Sequence, residues 1–282
     1  MPPAQTPRLV IFDLDGVVYR GDEAVPGAAE LVSGLRDRGT LVRFATNNSM
    51  ATRPAYVDRL AGHGIAADAD EIVTSSYATM QHLRTHLPDV RRVLAVGAPG
   101  LVDEMRAGGL EVTPSADAAP PEWNGASLVA TYDAVVAGLD PHIDYRRLGI
   151  AAAAIRAGAR FIATNADLRF PTPEGLTPGA GAIVAALAAT TGVEPVVIGK
   201  PQPAMFRAIL ERDGVEPRDA LVIGDNPDAD LVAARRAGIA SILVLTGVVD
   251  RPAARALTGE RRPDQVAADP GEVGRLLGVS VS

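Results

Sequence analysis

Apolar residues fall along this chain in short, mostly β-branched runs, and these alternate with stretches whose apolar residues recur at helical spacing. Leu9-Val10-Ile11-Phe12, Leu41-Val42-Arg43-Phe44, Val196-Val197-Ile198 and Leu221-Val222-Ile223 are too short for helices. Their alternation with helix-like stretches predicts that they are parallel strands. Leu31, Val32 and Leu35 predict a helix over 27–38 that stops at Gly39. Thr52-Arg53-Pro54 predicts the start of the next helix, since Pro suits a first turn. A third strand is expected at Ile72-Val73-Thr74, then a helix through Met80 and Leu83 to Pro88.

The alternation starts afresh at Arg92-Val93-Leu94-Ala95-Val96 and continues through Leu128-Val129-Ala130, residues 134–138 and Phe161-Ile162-Ala163. Residues 113–124, polar and rich in Pro, read as a loop or edge. Near Val196 the first pattern returns as strand, Lys200, helix, strand, Asp225, helix and a strand over 242–245. Gln265-Val266-Ala267 adds a short strand and a short helix follows. The pattern predicts an α/β protein with a Rossmann-like, doubly wound parallel-sheet core. That core is expected to span residues 1–84 and 195–282, split by an α/β domain inserted over 85–194.

Composition narrows the function classes. A length of 282 residues suits two domains. A net charge of −7 argues against a nucleic-acid partner, which needs a basic face. With no cysteine, disulfides, thiolate catalysis and zinc–thiolate sites are excluded. No apolar run is long enough for a membrane helix, and the first residues lack the basic and apolar regions of a signal peptide. The expectation is a cytoplasmic protein with no membrane partner.

Polar clusters end the buried runs: Asp13-Leu14-Asp15-Gly16, Thr46-Asn47-Asn48, Gly199-Lys200-Pro201 and Gly224-Asp225-Asn226-Pro227-Asp228-Ala229-Asp230. If the runs are parallel, all four clusters gather at the carboxyl edge, where open α/β sheets bind ligands. Crowded carboxylates repel unless a cation lies among them. A carboxylate can attack phosphorus, and a second one two residues on can serve as acid and then base. Thr and Asn donors suit phosphoryl oxygens. Lys just before a helix start is disfavoured unless an anion such as a phosphate or Asp225 accompanies it. Asp225 suits a hard cation such as magnesium. Each cluster has a plainer reading as well: a turn-forming Asp pair, an N-cap at Thr46 or Asn47, an exposed Lys200, and Asp228 and Asp230 complementing a helix dipole.

Order and spacing together resemble the haloacid dehalogenase-like hydrolase superfamily over nearly the whole chain. The supporting strings are Phe12-Asp13-Leu14-Asp15-Gly16-Val17-Val18-Tyr19, Thr46-Asn47-Asn48-Ser49, Gly199-Lys200-Pro201 and Gly224-Asp225-Asn226. The size and place of the insertion are similar to the capped branch that holds para-nitrophenylphosphatases, phosphoglycolate and glycerol-phosphate phosphatases and a ribonucleotide phosphatase. The resemblance implies a magnesium-dependent phosphatase with Asp13 as nucleophile and metal ligand. It implies Asp15 as general acid/base with its main-chain carbonyl on the metal, and Asp225 as a side-chain ligand. Thr46 and Asn47 would hold the phosphoryl oxygens, and Lys200 would neutralise nucleophile and phosphate. Asp230 would support the metal, although Ala229 stands where the branch usually has Thr. A small phosphomonoester substrate and a homodimer formed through the cap are further implications.

The cap is expected to choose the substrate. Thr164-Asn165-Ala166-Asp167-Leu168-Arg169 reads either as a leaving-group contact or as a turn closed by Asn and Asp, and Thr177-Pro178-Gly179-Ala180-Gly181 as a close approach or a helix start. Val96-Gly97-Ala98-Pro99-Gly100 lacks the third glycine of a dinucleotide loop, and His82 and His86 lack the Glu of a helical zinc motif. The alternative function is a phospho-accepting regulatory module, or a catalytically retired relative, of the same fold.

Overall fold

The continuous apolar runs form strands whose residues are buried on both faces, Leu9–Phe12 and Ala220–Gly224 throughout. This is seen in a computed structural model that describes residues 7–118, 123, 131–172 and 175–281. Two compact units emerge. The first takes residues up to Thr46, Arg53–Val73 and everything from Lys200 on, and the second takes Asn47–Thr52 and Thr74–Gly199.

The first unit is built on a six-stranded sheet in the order Gln265–Ala267, Ala240–Val244, Ala220–Gly224, Leu9–Phe12, Leu41–Thr46, Ile72–Thr74. Leu9–Phe12 pairs in parallel with both neighbours, and Phe12 stands opposite Phe44 on one side and Ile223 on the other. This register puts Asp13 level with Ala45 and Gly224, so Thr46 and Asp225 lie one residue beyond it at the same edge. Helix Ala28–Arg36 buries Ala28, Leu31, Val32 and Leu35 and packs on helix Pro270–Leu277. Helix Ala204–Asp213 buries Met205, Phe206, Ile209 and Leu210, each large apolar side chain contributing roughly 1.5–3 kcal/mol.

The second unit has its own five-stranded sheet, in the order Val196–Val197, Arg160–Ala163, Ala134–Ala137, Arg92–Val96, Glu111–Pro114, with parallel pairings. Helices Tyr145–Arg156 and Ala180–Thr191 pack together over it. Asp144 caps the first of these by accepting from Arg147 N at 2.7 Å. An antiparallel pair, Arg169–Thr172 with Gly175–Pro178, precedes the second. Among the described residues, no helix is long and apolar enough to cross a membrane.

Two boundaries differ from the sequence reading. Val196–Val197 pairs with Ile162 and Ala163 in the second sheet, so it is no strand of the core. Helix Ser75–His86, expected in the core, groups with the second unit. Its Met80 lies so close to Gly108 that a β-carbon there would collide with the sulfur, and Arg84 donates to Gly108 O at 2.9 Å. The expected strand at Leu128-Val129-Ala130 lies outside the described residues.

A chain lacking 85–194 would therefore keep helix Ser75–His86 but lose helix Pro99–Ala107, on which it packs, and is expected to aggregate. A chain lacking 75–198 is expected to stay monodisperse. Gel filtration of both chains decides it: a well-behaved 85–194 deletion would return that helix to the core.

Candidate active site

Asp13 follows the buried strand Leu9–Phe12, and its N–H donates to Ile223 O at 2.9 Å, which holds the main chain to the sheet up to the strand end. The chain then turns at once, with Val18 N bonded to Leu14 O at 2.9 Å and Gly16 N to Tyr19 O at 2.7 Å. Gly16 adopts φ +81°, and a β-carbon there would also collide with Asp225 Oδ2, so two independent reasons require glycine.

Lys200 closes the centre of this unit. Its Nζ donates to Asp13 Oδ1 at 2.6 Å, Asp230 Oδ1 at 2.6 Å and Ala45 O at 3.1 Å, and it is 3% exposed. Burial would lower its pKa, yet Asp13 and Asp230 outweigh that and hold the ammonium well above its ordinary value. The anionic partners that the helix-start argument called for are thus Asp13 and Asp230. Asp225 is held elsewhere, by Val248 N at 3.0 Å.

Asp13, Asp225 and Asp230 place carboxylate oxygens within 4.8 Å of one another. Burial and then the Asp230 charge push Asp13 well above the usual carboxylate range, against the pull of Lys200. The same two causes push Asp225 up to about 7. Asp13 and Asp230 share one ammonium while Asp225 stands beside them, so carboxylates outnumber cations at the site. Hard oxygen donors with such an excess fit a magnesium ion.

Asp230 needs no Thr at position 229. Its Oδ1 takes Lys200 and its Oδ2 takes Asn226 N at 3.1 Å, and the residue is 1% exposed. The turn is wound as a π-helix, Pro227–Leu231, capped by Asn226 Oδ1 accepting from Asp228 N. Asp228 is exposed, in keeping with its plainer reading.

Asp15 is exposed, yet the surrounding protein raises its carboxyl above the ordinary range, while Arg59 and Lys200 pull the other way. A carboxyl shifted that way keeps its proton more readily than an ordinary one, which suits proton donation and return. Thr46 is buried at the end of its strand beside the Tyr56 side chain. Arg59 lies over the Tyr19 ring, 3.9 Å from its centroid. Burial, then the Asp15 charge, pushes both Tyr19 and Tyr56 upward, so both phenols stay neutral.

The sequence reading missed a fifth strand end. Thr246 donates to Gly16 O at 2.5 Å, and a β-carbon on Gly247 would overlap the Asp225 carboxylate. Thr246-Gly247-Val248 follows the buried strand Ala240–Val244, so the rule that found the other four clusters applied here too. Tyr56 and Arg59 left no such signal, because they lie inside an ordinary helical pattern.

Asn47 falls in the second unit, where Asn47 Nδ2 donates to Asp167 Oδ2 at 2.9 Å and its carbonyl accepts from Asn165 Nδ2 at 2.8 Å. His82 and His86 stack ring on ring at 4.6 Å on their helix.

A family model described as haloacid dehalogenase-like hydrolase matches residues 10–111, and a second, described as HAD-hydrolase-like, matches 197–273. The chain is 36% identical over 241 residues to the 5'-nucleotidase YutF of Bacillus subtilis, covering 86% of this chain and 88% of that protein. A 4-nitrophenylphosphatase of Thermotoga maritima superposes with TM-score 0.84 at 32% identity, covering 96% of this chain and 97% of that one. A glycerol phosphate phosphatase of Mycobacterium tuberculosis, crystallised in complex with magnesium, superposes with TM-score 0.83 at 35% identity, covering 98% and 78%.

Proposed function

The chain belongs to the haloacid dehalogenase-like hydrolases and is a phosphoric monoester hydrolase, and we propose that it cleaves a small phosphomonoester through an aspartyl-phosphate on Asp13. The observation that carries this is the Lys200 ammonium, buried between Asp13 and Asp230 beside the turn that bears Asp15. A pure binding site needs no proton donor next to a nucleophile.

An Asp13 oxygen forms a bond to phosphorus while the ester P–O bond breaks. Asp15, in its protonated form, gives its proton to the departing oxygen. The Asp15 carboxylate then takes a proton from water, whose oxygen attacks the aspartyl-phosphate and frees inorganic phosphate and Asp13. Lys200 offsets the negative charge of Asp13 and the phosphoryl group. The Thr46 hydroxyl, with Asn47 next in the chain, supplies donors to the phosphoryl oxygens. Asp13, Asp225 and the Asp15 carbonyl would hold magnesium, with Asp230 in support. When bound, the ion supplies charge neutralisation for the nucleophile and the transferring phosphoryl group.

Relatives named as D-glycerol 3-phosphate phosphatase, acid sugar phosphatase and 5'-nucleotidase frame the substrate range as small metabolite phosphates. The test is phosphate release from para-nitrophenyl phosphate, glycerol phosphate, phosphoglycolate, sugar phosphates and nucleoside monophosphates. Release is expected with magnesium and expected to vanish with EDTA. Magnesium should also raise the Tm, since an ion that binds only the folded chain stabilises it. Folded, magnesium-bound protein that releases nothing would favour a phospho-accepting or retired module.

A further inference from the structure

The Thr164–Asp167 string was open to two readings, a leaving-group contact or a closed turn, and its geometry points to a third. Asn165 Oδ1 accepts from Asp167 N at 3.1 Å, so the turn is indeed closed by its own side chain. What that side chain does with its other end is more telling. Asn165 Nδ2 donates to Asn47 O at 2.8 Å, and Ser75 Oγ donates to the same carbonyl at 2.6 Å. Asp167 Oδ2 accepts from Asn47 Nδ2 at 2.9 Å. Gly199 comes so near that a β-carbon there would sit 2.6 Å from Asn47 Oδ1 and 2.5 Å from Thr164 O. Asn47 is thus held at its carbonyl and its amide nitrogen, and Gly199 passes close to its amide oxygen, all of these being residues of the second unit.

The Asp167 turn is itself fixed. Gly181 N donates to Asp167 O at 2.9 Å, and β-carbons at Gly179 or Gly181 would collide with the carbonyls of Asp167 and Ala166. The glycines of Thr177-Pro178-Gly179-Ala180-Gly181 therefore serve a close backbone approach that sets where Asp167 stands. Asn165 is 4% exposed and Thr164 fully buried, so the turn has little room to shift.

We propose that Asp167 and Asn165 are positioning residues for the reaction: they fix the orientation of Asn47, the residue that follows Thr46 in the chain. This rests on the phosphatase reading, in which Asn47 donates to a phosphoryl oxygen. An amide nitrogen carries two N–H groups, and Asp167 accepts from one of them, which settles both the rotamer of Asn47 and which end of its amide is the donor. The hydrogen bond is charge-assisted, so its loss is felt more than that of a neutral one. A residue that orients a phosphoryl donor acts on every substrate alike, whereas a residue that touches the leaving group discriminates among substrates.

The test compares wild type, Asp167→Ala and Asp167→Asn with magnesium, on para-nitrophenyl phosphate, glycerol phosphate and a nucleoside monophosphate. Inhibition by inorganic phosphate serves as a probe with no leaving group, and Tm is the folding control. Asp167→Ala is expected to lower kcat/KM by about 10- to 100-fold, by a common factor on every ester hydrolysed, and to weaken phosphate inhibition. Asp167→Asn keeps an acceptor oxygen and is expected to recover to within about threefold of wild type. A loss confined to one leaving group, or no loss, overturns the positioning role and leaves the phosphatase standing. Wild type that releases no phosphate overturns the phosphatase reading instead, and this role with it. The Asn47 side-chain amide resonance reports the anchor apart from activity: Asp167→Ala should move it upfield, and an unmoved resonance would remove the anchor.

Discussion

Asp13→Asn is expected to lower kcat by at least about ten-thousandfold while thermal unfolding stays nearly unchanged. In the proposed mechanism the amide cannot form the acyl-phosphate, so the first covalent step would have no nucleophile. The fold should tolerate the change for two reasons. Asp13 sits where burial, Asp230 and Asp225 all disfavour its charge, so removing that charge relieves repulsion. The Asn oxygen can still accept from Lys200, which keeps the 2.6 Å contact in neutral form. Lys200 retains Asp230 as a charged partner. The check is single-turnover phosphate release alongside a thermal scan in EDTA. Retained turnover in folded protein would remove Asp13 as the nucleophile, and a collapsed Tm would mean that its charge holds the core together.

Lys200→Met is expected to damage both stability and rate. Lys200 and Asp230 are almost fully buried, Asp13 largely so, and the ammonium is the cation between the two carboxylates. Breaking a buried pair from one side leaves uncompensated charge, a cost of about 3–5 kcal/mol. For a chain of this size that is a fall in Tm of roughly 5–8 °C without metal. Magnesium should return part of the loss, because it can offset the same carboxylates. Turnover should fall at least about a hundredfold, since a preorganised positive charge is lost from the site. Adding Asp13→Asn should cost much less than the sum of the two separate effects, as contacting residues do not act additively. A Lys200→Met protein as stable as wild type in EDTA would show that the carboxylates are already protonated there, and that the ammonium serves rate alone.

Much of the site was legible because its signals are local. A buried run that ends on Asp, Thr or Gly-Asp names a strand and its carboxyl end together, as at Phe12-Asp13, Phe44-Ala45-Thr46 and Ile223-Gly224-Asp225. Where the runs pair in parallel, Phe44, Phe12 and Ile223 stand in register across three strands, which brings those three strand ends together. Val196-Val197-Ile198 obeyed the same rule and misled, because two β-branched residues at a sheet edge look alike whichever sheet they join.

The amino-acid order by itself determined the α/β class, the strand ends and which polar side chains stand at them, through apolar periodicity and the short polar strings that interrupt it. Only the tertiary structure decided which groups meet. Lys200 reaches Asp13 across 187 positions and chooses Asp230, not Asp225, as its second partner. Asp230 finds its anchor in Asn226 N and dispenses with a Thr at 229. Gly247 makes room for the Asp225 carboxylate, and Asp167 takes hold of Asn47. The physical reason is that burial, charge pairing and the space for a β-carbon are properties of neighbours in three dimensions. Periodicity records only which way a residue faces, not what it faces.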